Sequence, residues 1–168
     1  MQSRAWLEPI EERLRQQFEF LLEIDRLKSV VRANRIADAS RRENTAEHSW
    51  HLAMFAMTLA EHAAGEIEVD RVVRMLLVHD IVEVDAGDAP IFGAAAPAGD
   101  LAAREQLAAD RLFGLLPSDM ATGFRELWEE FEAAETPEAK FAKAIDRLQP
   151  SLLNHAVGGG TWTDYDVD

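Results

Sequence analysis

Apolar residues recur at helical intervals along nearly all of this 168-residue chain, and no segment alternates as a half-buried strand would. That periodicity narrows the choice to an all-α fold. Phe18, Leu21, Leu22 and Leu27 mark a helix within residues 8–31. The polar, Arg-rich run RANRIADASRREN then reads as a loop. Asn44 or Thr45 can cap the next helix, AEHSWHLAMFAMTLAEHAA, which stops at Gly65. Asp70 is the expected cap of RVVRMLLVHDIVEV, whose nearly all-round hydrophobicity predicts a central, buried helix. VDAGDAPIFGAAAPAGD, with three Gly and two Pro, reads as a long loop of the kind that is functional or mobile. Helical patterning resumes in LAAREQLAADRLFGLL, ended by Pro117, and again over residues 118–134. The last helix, PEAKFAKAIDRLQPSLLNHA, starts with a favourable Pro137 and should kink or break at Pro150. Residues after 158 read as a flexible tail. The expectation is a compact bundle of about six helices, a single domain over 1–168.

Composition restricts the partners. There are 17 Lys+Arg against 31 Asp+Glu, a net charge of −14, which repels nucleic-acid backbones and anionic bilayers. The absence of cysteine removes disulfides, thiolate metal sites and thiol nucleophiles, and it suits a reducing cytoplasm. MQSRAWLEPIEERLRQQ lacks the apolar core of a signal peptide, and no stretch approaches the roughly 18 apolar residues of a membrane span. The expectation is a cytoplasmic protein with a small-molecule ligand.

The chemistry gathers around a few words of sequence. His79-Asp80 closes a hydrophobic helix, where polar groups need partners, and Glu83 follows near the same helix face. Asp85 and Asp88 come next. An imidazole and several acids converging after an apolar run suggest a metal or acid–base site. His48 falls in the first turn of its helix, directly after the Arg-rich segment. Asp146 sits on the buried side of its amphipathic helix, so it needs Arg147, another cation or a metal.

His48, His79-Asp80 and Asp146, in that order and with gaps of 31 and 66 positions, resemble the H…HD…D signature of the HD-domain superfamily of metal-dependent phosphohydrolases. RRENTAEHSWH, LVHDIVEVDAGD and FAKAIDRLQPSLLN resemble the branch related to bacterial 5′-deoxynucleotidases, over about residues 27–162. The resemblance implies that His48, His79, Asp80 and Asp146 ligate one divalent ion. Mn, Co or Fe fits such an N/O set best, with Zn, Ni or Mg as alternatives. It implies Glu83 as general acid/base, Asp88 as a catalytic and sugar-binding residue, and Arg32 as a phosphate clamp, a task suited to its planar fork. It implies hydrolysis of a phosphomonoester by metal-activated water, with a nucleoside or deoxynucleoside 5′-monophosphate as substrate and a homodimer as the working form. Where that branch carries a tryptophan after the arginine, this chain has Ala33 and Asn34, which leaves ribose against deoxyribose open. Hydrolysis of a phosphodiester, a nucleoside triphosphate or an alarmone is the alternative, as is a weakly catalytic nucleotide-binding regulatory module.

The remaining conspicuous residues have plainer readings. His51 reads as a core histidine or a support for the site, His62 and His155 as structural, and Arg41 and Arg42 as loop anchors. Glu126, Glu129, Glu130, Glu132 and Glu135 read as a solvated helix face, and Trp50, Met54, Phe55 and Met57 as core or subunit contacts.

Overall fold

The computed structural model describes residues 5–88 and 98–166. Six helices of ten residues or more build the bundle: α1 (Glu12–Ile24), α2 (Thr45–Leu59), α3 (Val69–Val78), α5 (Ala98–Phe113), α6 (Ser118–Ala133) and α7 (Pro137–Ala156). One-turn helices α4 (Glu83–Ala86) and α8 (Thr161–Asp164) complete the set among the described residues. The all-α expectation therefore holds.

Local chemistry explains the boundaries. Asn44 caps α2 through a reciprocal capping box with Glu47. Thr136 accepts from Ala139 N–H to cap α7, with Pro137 in its first turn. At α3 the cap position falls to Glu68, and the expected cap Asp70 lies inside the first turn.

Two apolar clusters flank α3. One contains Leu52, Ala56, Val72, Met75, Leu76, Phe131 and Ile145; the other joins Phe20, Leu27, Val78, Ile81, Leu112, Phe113 and Trp128. α3 packs on α2, α6 and α7 and so occupies the centre, as its composition predicts. Its burial is not all-round, because Leu77 is 47% exposed and Arg71 and Arg74 share the outer side.

Several sequence expectations need correction. The run 32–44 is not a plain loop: Val31–Arg35 and Arg42–Asn44 pair as an antiparallel hairpin, β1 and β2, with an irregular register. The helix expected through residue 84 ends at Val78; a turn over 79–82 follows, and α4 begins at Glu83. Pro150 neither breaks nor ends α7, since it lies inside an uninterrupted helix. The tail read as flexible forms α8 after a reversal in which Gly158, Gly159 and Gly160 all have positive φ, a conformation costly for other residues. Asn154 holds that end: its Oδ1 accepts from Thr161 N–H at 3.1 Å and Asn34 Nδ2 at 3.0 Å, and its Nδ2 donates to Thr161 Oγ1 at 2.7 Å. Of the residues read as core or subunit contacts, Phe55 packs against the core, whereas Trp50, Met54 and Met57 are exposed and so are not core. Glu130 leaves the solvated series to bind Arg71 and Thr136. Of the long loop expected over 84–100, residues 89–97 lie outside the described part.

Candidate metal centre

Two helices and one turn deliver the cage. His48 comes from the first turn of α2, His79 and Asp80 from the turn that ends α3, and Asp146 from the middle of α7. His48 Nε2 lies 3.0 Å from Asp146 Oδ1 and 4.0 Å from Asp80 Oδ2; His79 Nε2 lies 3.1 Å from Asp80 Oδ1 and 3.8 Å from Asp146 Oδ1. The four residues named from sequence thus meet at one point. One atom each from His48, His79 and Asp146 lies within 4.8 Å of the others. Asp146 finds its partners in these imidazoles, not in Arg147.

His79 is almost wholly buried, and its Nδ1 donates to Leu76 O at 2.8 Å. A carbonyl can only accept, so Nδ1 carries a proton and Nε2 is the ring nitrogen that faces the acids. That Nε2 is a buried polar atom without a hydrogen-bond partner among the described residues, which is costly unless something else binds there. Two imidazoles and the Asp146 carboxylate at this spacing are a donor set that can hold a divalent cation, with Asp80 alongside them. The residues present therefore fit such an ion.

Electrostatics in the protein alone points the same way. Burial opposes charge on His79, but the Asp80 and Asp146 carboxylates overcome it and hold the imidazole up to about 10. Burial likewise opposes ionisation of Asp146, and the bond to His48 with the nearby charge of His79 nevertheless keeps it well below the usual carboxylate range. Positive charge is strongly favoured at this point of the molecule.

Around the cage, Arg32 on β1 reaches Asp80 Oδ2 at 3.3 Å, Asp88 Oδ1 at 3.7 Å and Glu83 Oε1 at 3.9 Å. Its Nε is buried with no hydrogen-bond partner among the described residues. Glu83 Oε2 accepts from Thr45 Oγ1 at 2.8 Å. Burial, reinforced by the Asp80 charge, pushes the Glu83 carboxyl up to about 8. Asp88 is also raised, first by burial. Arg41 forms a two-pronged pair with Glu47 at 2.8 Å, as a loop anchor should. Asp85, by contrast, faces away and binds Arg111.

Sequence reasoning missed Glu43, Thr45 and Gln149, all buried beside the site. A polar residue within an otherwise apolar helix face was the available signal for Gln149. Glu43 and Thr45 lay in a segment read as loop and cap, where polar residues attract no notice.

Fold and site together define an all-helical bundle with a buried histidine–aspartate cage suited to a divalent cation. A family model described as an HD domain matches residues 24–168, and the chain belongs to that family. It is similar to a solved structure described as a predicted metal-dependent phosphohydrolase from Magnetospirillum magnetotacticum MS-1, at 53% identity and TM-score 0.88, over 94% of this chain and 78% of that one. Human 5′-deoxynucleotidase HDDC2 is 34% identical over 80% of this chain. A 5′-deoxynucleotidase from Erwinia tasmaniensis is 30% identical over 77% of this chain and 68% of its own length. This chain spans 64% of the length of the human protein. No helix among the described residues is long and apolar enough to cross a membrane.

Proposed function

We propose that the protein is a metal-dependent phosphatase acting on a nucleoside or deoxynucleoside 5′-monophosphate, with one divalent ion held by His48, His79, Asp80 and Asp146. The observation that carries this reading is the buried Nε2 of His79, beside two carboxylates and without a hydrogen bond among the described residues. Similarity to 5′-deoxynucleotidases and to a predicted metal-dependent phosphohydrolase supports the reaction class. When bound, the ion supplies Lewis acidity and lowers the pKa of water at neutral pH.

The chain's own residues do the rest. Arg32 keeps its charge among Asp80, Asp88 and Glu83, and its longer ion pairs are weak enough to yield to two phosphate oxygens. Glu83 retains a proton at neutral pH because of burial and Asp80, and Thr45 fixes its orientation. It can therefore pass that proton to the leaving ester oxygen. Asp88, steadied by the Ala33 N–H, stands where a sugar hydroxyl can bond to it. We place the enzyme in the cytoplasm, with residues 1–168 forming one domain. The exposed Leu14, Leu21 and Leu22 of α1 are the surface for a homodimer, checked by light scattering.

The test is a phosphate-release panel of nucleoside 5′-monophosphates, their 2′-deoxy forms, a phosphodiester and a triphosphate, run after metal stripping and reloading with Mn²⁺ or Co²⁺. Monophosphates should turn over fastest, and Asp80→Ala should lose both turnover and metal retention. Full turnover by Asp80→Ala refutes the reading.

A further inference from the structure

Gln149 lies wholly buried on α7, just under one turn beyond Asp146. Its carboxamide is bonded on both sides. Nε2 donates to Glu43 Oε1 at 2.8 Å and to His51 Nδ1 at 3.2 Å, and Oε1 lies 3.1 Å from His48 Nδ1. The carboxylate of Glu43 can only accept, so it fixes which way the amide faces; the opposite orientation would set oxygen against oxygen. With Oε1 facing His48, the proton on that ring must sit on Nδ1. His48 Nε2, 3.0 Å from Asp146 Oδ1, is then the nitrogen left to give its lone pair to an ion, once that ion has displaced any proton there. Glu43 Oε2, 3.4 Å from the same Nδ1, places negative charge behind the ring and makes Nε2 the better donor. The hairpin thus has a task, because β2 carries Glu43 to a helix residue 106 positions away.

We propose that Glu43 and Gln149 form a positioning relay, in which a buried carboxylate orients an amide and the amide sets the tautomer and tilt of His48 for metal binding. This rests on the reading of His48 as a ligand. Carboxylate or carbonyl partners behind a ligating histidine do this elsewhere, and their loss costs about 10- to 100-fold in metal affinity. Here an interposed amide does so, with His51 occupying its second N–H.

The test measures Mn²⁺ affinity by calorimetry on metal-stripped protein, and reads the His48 ring by ¹⁵N–¹H NMR in the Zn²⁺-loaded form. Gln149→Met should weaken Mn²⁺ binding by about 10- to 100-fold and lose the His48 Nδ1–H signal. Gln149→Glu sets two carboxylates face to face and should weaken binding at least as much. The exchange Glu43→Gln with Gln149→Glu restores the donor–acceptor order and should recover most of the affinity and the Nδ1–H signal. A role in packing alone predicts no such recovery. Should Gln149→Met not fold, the exchange pair decides: recovery supports the relay, and failure to recover overturns it. Wild-type Mn²⁺ affinity with an unchanged His48 signal in a cooperatively melting Gln149→Met also overturns it. Wild-type protein that binds neither Mn²⁺ nor Zn²⁺ overturns the metal reading itself, and the relay with it.

Discussion

Glu83 and His79 differ in what protects them. Both are buried beside Asp80, but an acid beside an acid gains a proton that a substrate can use, whereas an imidazole beside an acid gains one that an ion must displace. Glu83→Gln should therefore cut turnover by about 10²- to 10⁴-fold while Mn²⁺ affinity stays within a few-fold, as steady-state kinetics and a metal titration would show. His48, His79, Asp80 and Asp146 were legible as a set through the ordered H…HD…D resemblance; the local signs, an imidazole at a helix start, a polar pair ending an apolar run and an acid on an amphipathic helix, did not by themselves make them ligands. Gln149 and Glu43 were not legible, since each gains meaning only from partners roughly a hundred positions away. Thr45 was legible as a helix-start residue but not as the hydroxyl that bonds Glu83.

Helices were legible as elements because 3.6-residue periodicity survives in any window of about a dozen residues. The hairpin was hidden for the opposite reason. Its strands have five and three residues, are polar, and pair with an irregular register, so no alternation accumulates. α8 was hidden because GGG signals mobility unless a side chain such as Asn154 anchors the reversal. Asn154→Ala would leave the Thr161 N–H and Oγ1 without their buried partner and take one of two bonds from Asn34 Nδ2, at about 1–3 kcal/mol for each group left unsatisfied. Urea unfolding should register a loss of at least that size, with metal affinity less affected than by Gln149→Met. Removing the Asn44 cap as Asn44→Ala should cost about 1 kcal/mol in the same assay, without altering the substrate preference.

At the scale of the molecule, the cage links proton binding, ion binding and folding. A ligating imidazole must surrender its proton, and in the protein alone His79 holds one up to about 10. Ion uptake near pH 7 should thus expel protons, and apparent affinity should rise with pH toward 10. Calorimetry in buffers of differing ionisation enthalpy measures the number released. For the stripped protein the sign is reversed: the raised value stabilises the fold fully below the unfolded pKa of about 6.5, and that contribution fades as pH climbs through about 10. The proposed donors sit on α2, on the turn after α3, and on α7, so a captured ion would clasp segments separated by 31 and 66 positions. A chain without a single cysteine would acquire in this way what extracellular domains get from disulfide bridges: a staple that closes long loops in its own fold. Ion at about a hundred times its dissociation constant should add about 2.7 kcal/mol to the unfolding free energy, and chelation should remove it, so that heat resistance would follow the supply of metal.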